Sequence, residues 1–287
     1  MAVSLSSVPR VLAHVASARD VAFGAYFLTP RGAAAGALLD AARRGAHVAL
    51  TLQSDPYRNP YGARGNAAVA GELRAAGAEV RLLPSGEAPF HLKAAVCDGV
   101  AYLDDRNWTK RGPEIVLADD DPRDVARVRD ALAGRAGGAP PPAERAADET
   151  GLATRKDEAL RRELELVERA GAQPVVVETE RVATSPLTRA LQRRALAGEP
   201  TTLIVGRERH HSRTEAHALA ELRRDGVDVR SGGANEKLAL AGDTAWIGSV
   251  NATGVSGRNA GQLEWGTLTR DPAIVGAVRA SLERDAR

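Results

Sequence analysis

The chain repeats itself, and this limits its folds more than any other feature does. Residues 91–109 and 235–253 align without a gap at a constant separation of 144 residues. The segment Phe90-His91-Leu92-Lys93-Ala94-Ala95-Val96 stands against Ala234-Asn235-Glu236-Lys237-Leu238-Ala239-Leu240. The turn Asp98-Gly99 stands against Gly242-Asp243, and Asn107 and Thr109 stand against Asn251 and Thr253. Upstream of each copy a Glu-Leu-Arg helix segment (72–74, 221–223) leads into a short strand (79–81, 228–230). Each copy therefore builds the same supersecondary unit.

Strand and helix patterns alternate in both copies. Early strands are expected over residues 21–28 and 175–179, and further strands over 48–52 and 202–205, each pair separated by a helix. Asp121-Pro122 and Asp271-Pro272 each open a closing helix, with Asp as cap and Pro in the first turn, where its missing N–H costs nothing. A helix is also expected over residues 153–170. The pattern predicts the α/β class, with mixed sheets covered by helices. Residues 136–151, with three consecutive prolines and a Gly-Gly pair, read as a linker between halves spanning 1–135 and 152–287.

Composition narrows the function. A net charge of +2 provides no strong pull toward DNA or anionic membranes. Aromatic residues at 3% argue against a stacking platform for single strands. The single cysteine, Cys97, excludes an internal disulfide and a cysteine-built zinc cage, and its apolar neighbours mark it as a core residue. No run approaches the ~20 apolar residues of a membrane helix, and no cleavable leader is evident, so the expected location is cytoplasmic.

The repeated segment carries the chemistry. A His-x-Lys, an Asp seven residues after the His, and a Gly-Ser-x-Asn across a hairpin are divided between the copies. The first supplies His91, Lys93, Asp98 and Asn107; the second supplies Lys237, Gly248, Ser249 and Asn251. Residues two apart on a strand share a face, so His91 projects with Lys93, and Asn235 with Lys237. Lysines and amides of this kind can hold a phosphate's non-bridging oxygens, and a carboxylate-held histidine can act as nucleophile or acid at neutral pH.

In these motifs the chain resembles the phospholipase D superfamily over essentially its whole length. The resemblance implies two pseudo-twofold-related halves, each with a mixed sheet flanked by helices, around one phosphate site. It implies a phosphohistidine from one half, leaving-group protonation by a histidine of the other, and neither metal nor cofactor. It also implies an acidic residue that orients each histidine, for which Glu114 and Glu264 are the candidates. Glu114 is the expected partner of His91.

The chain departs from that pattern in both copies. Asn235 stands at the second histidine position and Gly242 at the second aspartate position, while Asp104 and Asp105 replace the first Gly-Ser. His210 and His211, which follow a strand, are candidate substitutes for the missing acid, and Asn235 and Gly248 are candidate substrate contacts. Without a second histidine, a good leaving group could depart with help from water, or the site could bind without turnover.

The expected function is that of a phosphodiesterase acting on phospholipid head groups, by hydrolysis or phosphatidyl transfer. A degenerate phosphate-binding protein is the first alternative and a nuclease the second. The expected partners are a phosphodiester substrate, with phospholipid ahead of nucleic acid, no stable membrane insertion, and no second copy of the chain.

Overall fold

The computed structural model describes residues 3–56, 59–84, 90–108, 115–135, 151–206, 212–255 and 261–286. It divides into two compact units. One comprises Met1–Ala146 with Arg258–Trp265, the other Ala147–Gly257 with Gly266–Arg287.

Unit one runs β1 (Ser4–Ser6), α1 (Val8–Ser17), β2 (Asp20–Ala25), α2 (Ala33–Arg43), β3 (His47–Gln53), α3 (Pro60–Ala75) and β4 (Glu79–Leu83). β5 (Ala94–Cys97), β6 (Val100–Asp104), β7 (Val116–Asp119) and α4 (Pro122–Leu132) follow. Its sheet has the order β1-β7-β6-β5-β2-β3-β4. β2, β3 and β4 are parallel neighbours, whereas β5, β6 and β7 run as an antiparallel meander. Helices cover the sheet, which is why β5 is buried along its whole length and carries only small and apolar residues.

Unit two repeats the plan with β8 (Ala153–Arg155), α5 (Lys156–Arg169), β9 (Val175–Thr179), α6 (Pro186–Leu196), β10 (Thr201–Gly206) and α7 (Arg213–Arg224). β11 (Asp228–Gly233), β12 (Leu238–Ala241), β13 (Thr244–Gly248), β14 (Leu263–Thr269) and α8 (Pro272–Asp285) complete it. Its sheet order is β11-β10-β9-β12-β13-β14-β8, strand for strand the order of the first. The α/β class and the two similar halves are therefore what the molecule has. β14 is the exception to a clean division, because its first three residues belong to unit one.

Register makes the equivalence residue-specific. Gly24 pairs with Ala94 and Glu178 pairs with Leu238, and Ala94 and Leu238 are 144 apart like the rest of the motif. Gly24 therefore corresponds to Glu178, and Tyr26 to Glu180. Likewise Val116 opposes Asp104 and Gly266 opposes Gly248. Two residues before each stand Glu114 and Glu264 in the sequence.

Two expected elements differ. The strand expected over 21–28, β2, ends at Ala25, so Tyr26 lies beyond the ladder. The helix expected from residue 153 starts at Lys156, because Ala153–Arg155 extend as the edge strand β8. No described helix is long and apolar enough to cross a membrane.

Candidate functional site

In unit one the site is built on the segment entering β5. Phe90 is fully buried and donates its N–H to Gln53 Oε1, 2.8 Å away at the end of β3. Its ring lies so close to β2 that a Cβ on Gly24 would come within 2.7 Å of it. The His91 N–H donates to the Leu263 carbonyl at 3.0 Å, alongside a parallel bridge between Phe90 and Leu263. That bridge fixes the next residue of β14, Glu264, beside the imidazole. Trp265 holds the other side, its indole N–H donating to the Asp104 carbonyl at 2.8 Å.

Glu264 Oε1 lies 2.9 Å from His91 Nδ1, the carboxylate being 4% and the imidazole 20% exposed. Among the described residues this is the carboxylate on His91; Glu114 lies outside them. Lys93, buried, places Nζ 2.6 Å from His91 Nδ1 and 3.0 Å from Nε2. The Tyr26 ring meets the imidazole edge-on, with centroids 4.6 Å apart, and lies 5.9 Å from Lys93 Nζ. A carboxylate at Nδ1 favours the tautomer with its proton there, which leaves a lone pair on Nε2. The Lys93 ammonium, 3.0 Å from that nitrogen, is placed beside the atom that would meet a phosphate.

The other first-copy residues do structural work. Asp98 closes the β5–β6 hairpin with positive φ at both Asp98 and Gly99, a turn that suits Asp-Gly. Its carboxylate accepts the Arg19 and Asp20 N–H groups at 3.1 and 3.0 Å. Asp104, at the missing glycine's position, accepts the Arg106 and Trp108 N–H groups and so shapes the turn after β6. Asn107 keeps its Oδ1 buried without a hydrogen bond among the described residues.

Unit two's copy is arranged differently. Lys237, 4% exposed, donates to Glu180 Oε2 at 3.2 Å and to the Asn235 carbonyl at 2.9 Å. Asn235 has φ of 67°, a left-handed conformation that Asn tolerates. Its Oδ1 occupies the space where a Cβ on Gly206 would stand, 1.8 Å from that position. Asn251 Oδ1 accepts the Arg181 N–H at 3.1 Å. Gly248 donates to the Lys237 carbonyl at 3.1 Å, and Ser249 is fully buried. At Gly242 the space of a side chain is taken by Gln173. His210 and His211 lie outside the described residues. The remaining histidines have local partners: His14 with Tyr102, His47 with Asp20, His217 with Glu221.

Unit two also holds a carboxylate cluster that the sequence reading missed. Glu178, Glu236 and Asp285 bring oxygens within 4.8 Å of one another, close enough to share an ion, and Glu178 and Glu236 are fully buried. Burial, then the neighbouring Glu236 and Asp285, push the Glu178 carboxyl up to about 8. In unit one the corresponding positions of Glu178 and Glu236 are Gly24 and Leu92, so an apolar layer has become an acidic one.

No family model matches the sequence, and no curated protein matches it. Solved structures do. Polyphosphate kinase from Porphyromonas gingivalis superposes with a TM-score of 0.66 at 17% identity, covering 100% of this chain and 50% of that one. Phosphatidylserine synthase from Haemophilus influenzae gives a TM-score of 0.66 at 10% identity, covering 99% of this chain and 86% of that one. The chain thus spans half the length of the kinase. Both neighbours have the phospholipase D superfamily fold, and this chain has it too.

Proposed function

We propose that the chain is a phosphodiesterase of the phospholipase D type that works through His91. The observation carrying this reading is the His91 Nδ1–Glu264 contact of 2.9 Å, with the Lys93 ammonium beside the same ring. In the proposed step the Nε2 lone pair attacks phosphorus and the bond to the leaving oxygen breaks. That oxygen departs with the electron pair and takes a proton from water. Water or an acceptor alcohol then attacks the phosphohistidine, its proton is lost to solvent, and the imidazole is regenerated. Lys93 opposes the charge that builds on the phosphoryl oxygens.

A lipid head group is the proposed substrate ahead of a nucleic acid, on the modest net charge of +2 and the likeness to a phosphatidylserine synthase. Asn235 cannot replace the second histidine's proton transfer, a contribution worth ~10²–10⁴-fold. The loss slows departure of an alcohol, a lipid head group included. It also supports a second reading, a protein that binds a phosphate-bearing ligand without turnover.

The test is hydrolysis of an activated chromogenic phosphodiester in EDTA by the native chain and by His91→Ala. Turnover by the native chain that vanishes in the variant supports the reading. Equal turnover by both would remove His91 from the mechanism, and none in either would favour binding.

A further inference from the structure

We propose that Glu180 is a built-in counter-ion that closes the second copy of the motif to phosphate and other anions. The inference concerns unit two alone and is independent of turnover by His91.

Lys237 is almost fully buried, and an ammonium withdrawn from water needs a nearby negative charge. The chain supplies that charge itself, with Glu180 Oε2 3.2 Å from Nζ. The register places Glu180 where unit one has Tyr26, two residues beyond the Gly24–Glu178 pair. The same position therefore gives the motif lysine an uncharged aromatic face in one copy and a carboxylate in the other.

The neighbouring groups follow suit. Asn235 is folded onto Gly206, and the Arg181 guanidinium pairs with Glu215 at 3.1 Å. A phosphate approaching Lys237 would meet the Glu180 charge before the ammonium. The Glu180 side chain is 37% exposed, so an isosteric amide there disturbs little packing.

The experiment titrates the full chain with inorganic phosphate, against potassium chloride of equal ionic strength, and follows the thermal unfolding midpoint. Native protein is compared with Lys237→Gln, Glu180→Gln and the double variant. The native and Lys237→Gln proteins should respond to phosphate alike. Glu180→Gln should have a lowered midpoint in chloride that phosphate restores, with phosphate binding tightened about tenfold or more, and the double variant should lose this gain. Two results would overturn the proposal: a native phosphate response that weakens in Lys237→Gln, or a folded Glu180→Gln that gains none. The first needs only a variant with Glu180 intact, so misfolding of Glu180→Gln would not shield the idea. These outcomes are read from phosphate binding by Lys237 and Glu180 variants and the catalytic one from turnover by His91→Ala, so the two proposals fail separately.

Discussion

With Glu264 Oε1 on Nδ1, the imidazole of His91 is fixed in both orientation and tautomer. Glu264→Gln should therefore lower turnover of an activated phosphodiester by about 10²–10⁴-fold, because the amide can stabilise the wrong tautomer. Steady-state kinetics should show the loss in kcat rather than in KM. Glu178 gives a separate prediction, for stability. Its folded value of about 8 lies above the 4.5 of an ordinary glutamate, with Glu236 and Asp285 facing it. Between those values the native state keeps a proton that the unfolded state releases. Stability therefore falls as pH rises through this window, by up to ~1.4 kcal/mol per unit. Below the window both states are protonated and above it both are ionised, so the slope vanishes. Urea titrations at pH 5 and pH 8.5 should show a smaller difference for Glu178→Gln than for the native chain. Burial likewise raises the Cys97 thiol to about 12, so a thiolate-selective reagent should leave the folded protein unlabelled at neutral pH.

At the scale of elements, the close contact of β2 with the motif segment invites a test. A Cβ on Gly24 would stand 2.5 Å from Leu132 and 2.7 Å from Phe90, both well-packed side chains. Gly24→Ala should cost about 1–3 kcal/mol in denaturant titrations, as overpacked cores do. It should also reduce any turnover that depends on His91, because Phe90 immediately precedes that residue. Many of these elements were legible in the sequence. The Asp-Pro caps at 121–122 and 271–272 do open α4 and α8, with Asp121 accepting the Arg123 N–H and Asp271 those of Ala273 and Ile274. The motif strands and the Asp98-Gly99 turn could be read because both copies retain them. Tyr26 and Glu180 could not, since Tyr-Phe-Leu at 26–28 and Glu-Arg-Val at 180–182 share no pattern. Only strand register shows that the two positions are the same. The Glu178 cluster escaped notice for a similar reason: its members come from β9, the motif segment and α8, far apart along the chain.

At the scale of the molecule, unit one is not a continuous stretch of sequence. It includes Arg258–Trp265, and Glu264 is 173 residues from the histidine it contacts. A fragment of residues 1–146 should thus lack turnover even with His91 and Lys93 intact. Supplying the complementary fragment 147–287 in trans, with turnover as the readout, tests whether the missing strand alone is responsible. The discontinuity also sets an order of events in the cell. A ribosome releases the chain from its N-terminus at roughly 5–20 residues per second, so β5 and its histidine emerge long before β14. In that interval the nascent protein carries the His91 imidazole without the Glu264 carboxylate beside it. The 173 residues between the two groups therefore set how long the His91 imidazole waits for the Glu264 carboxylate.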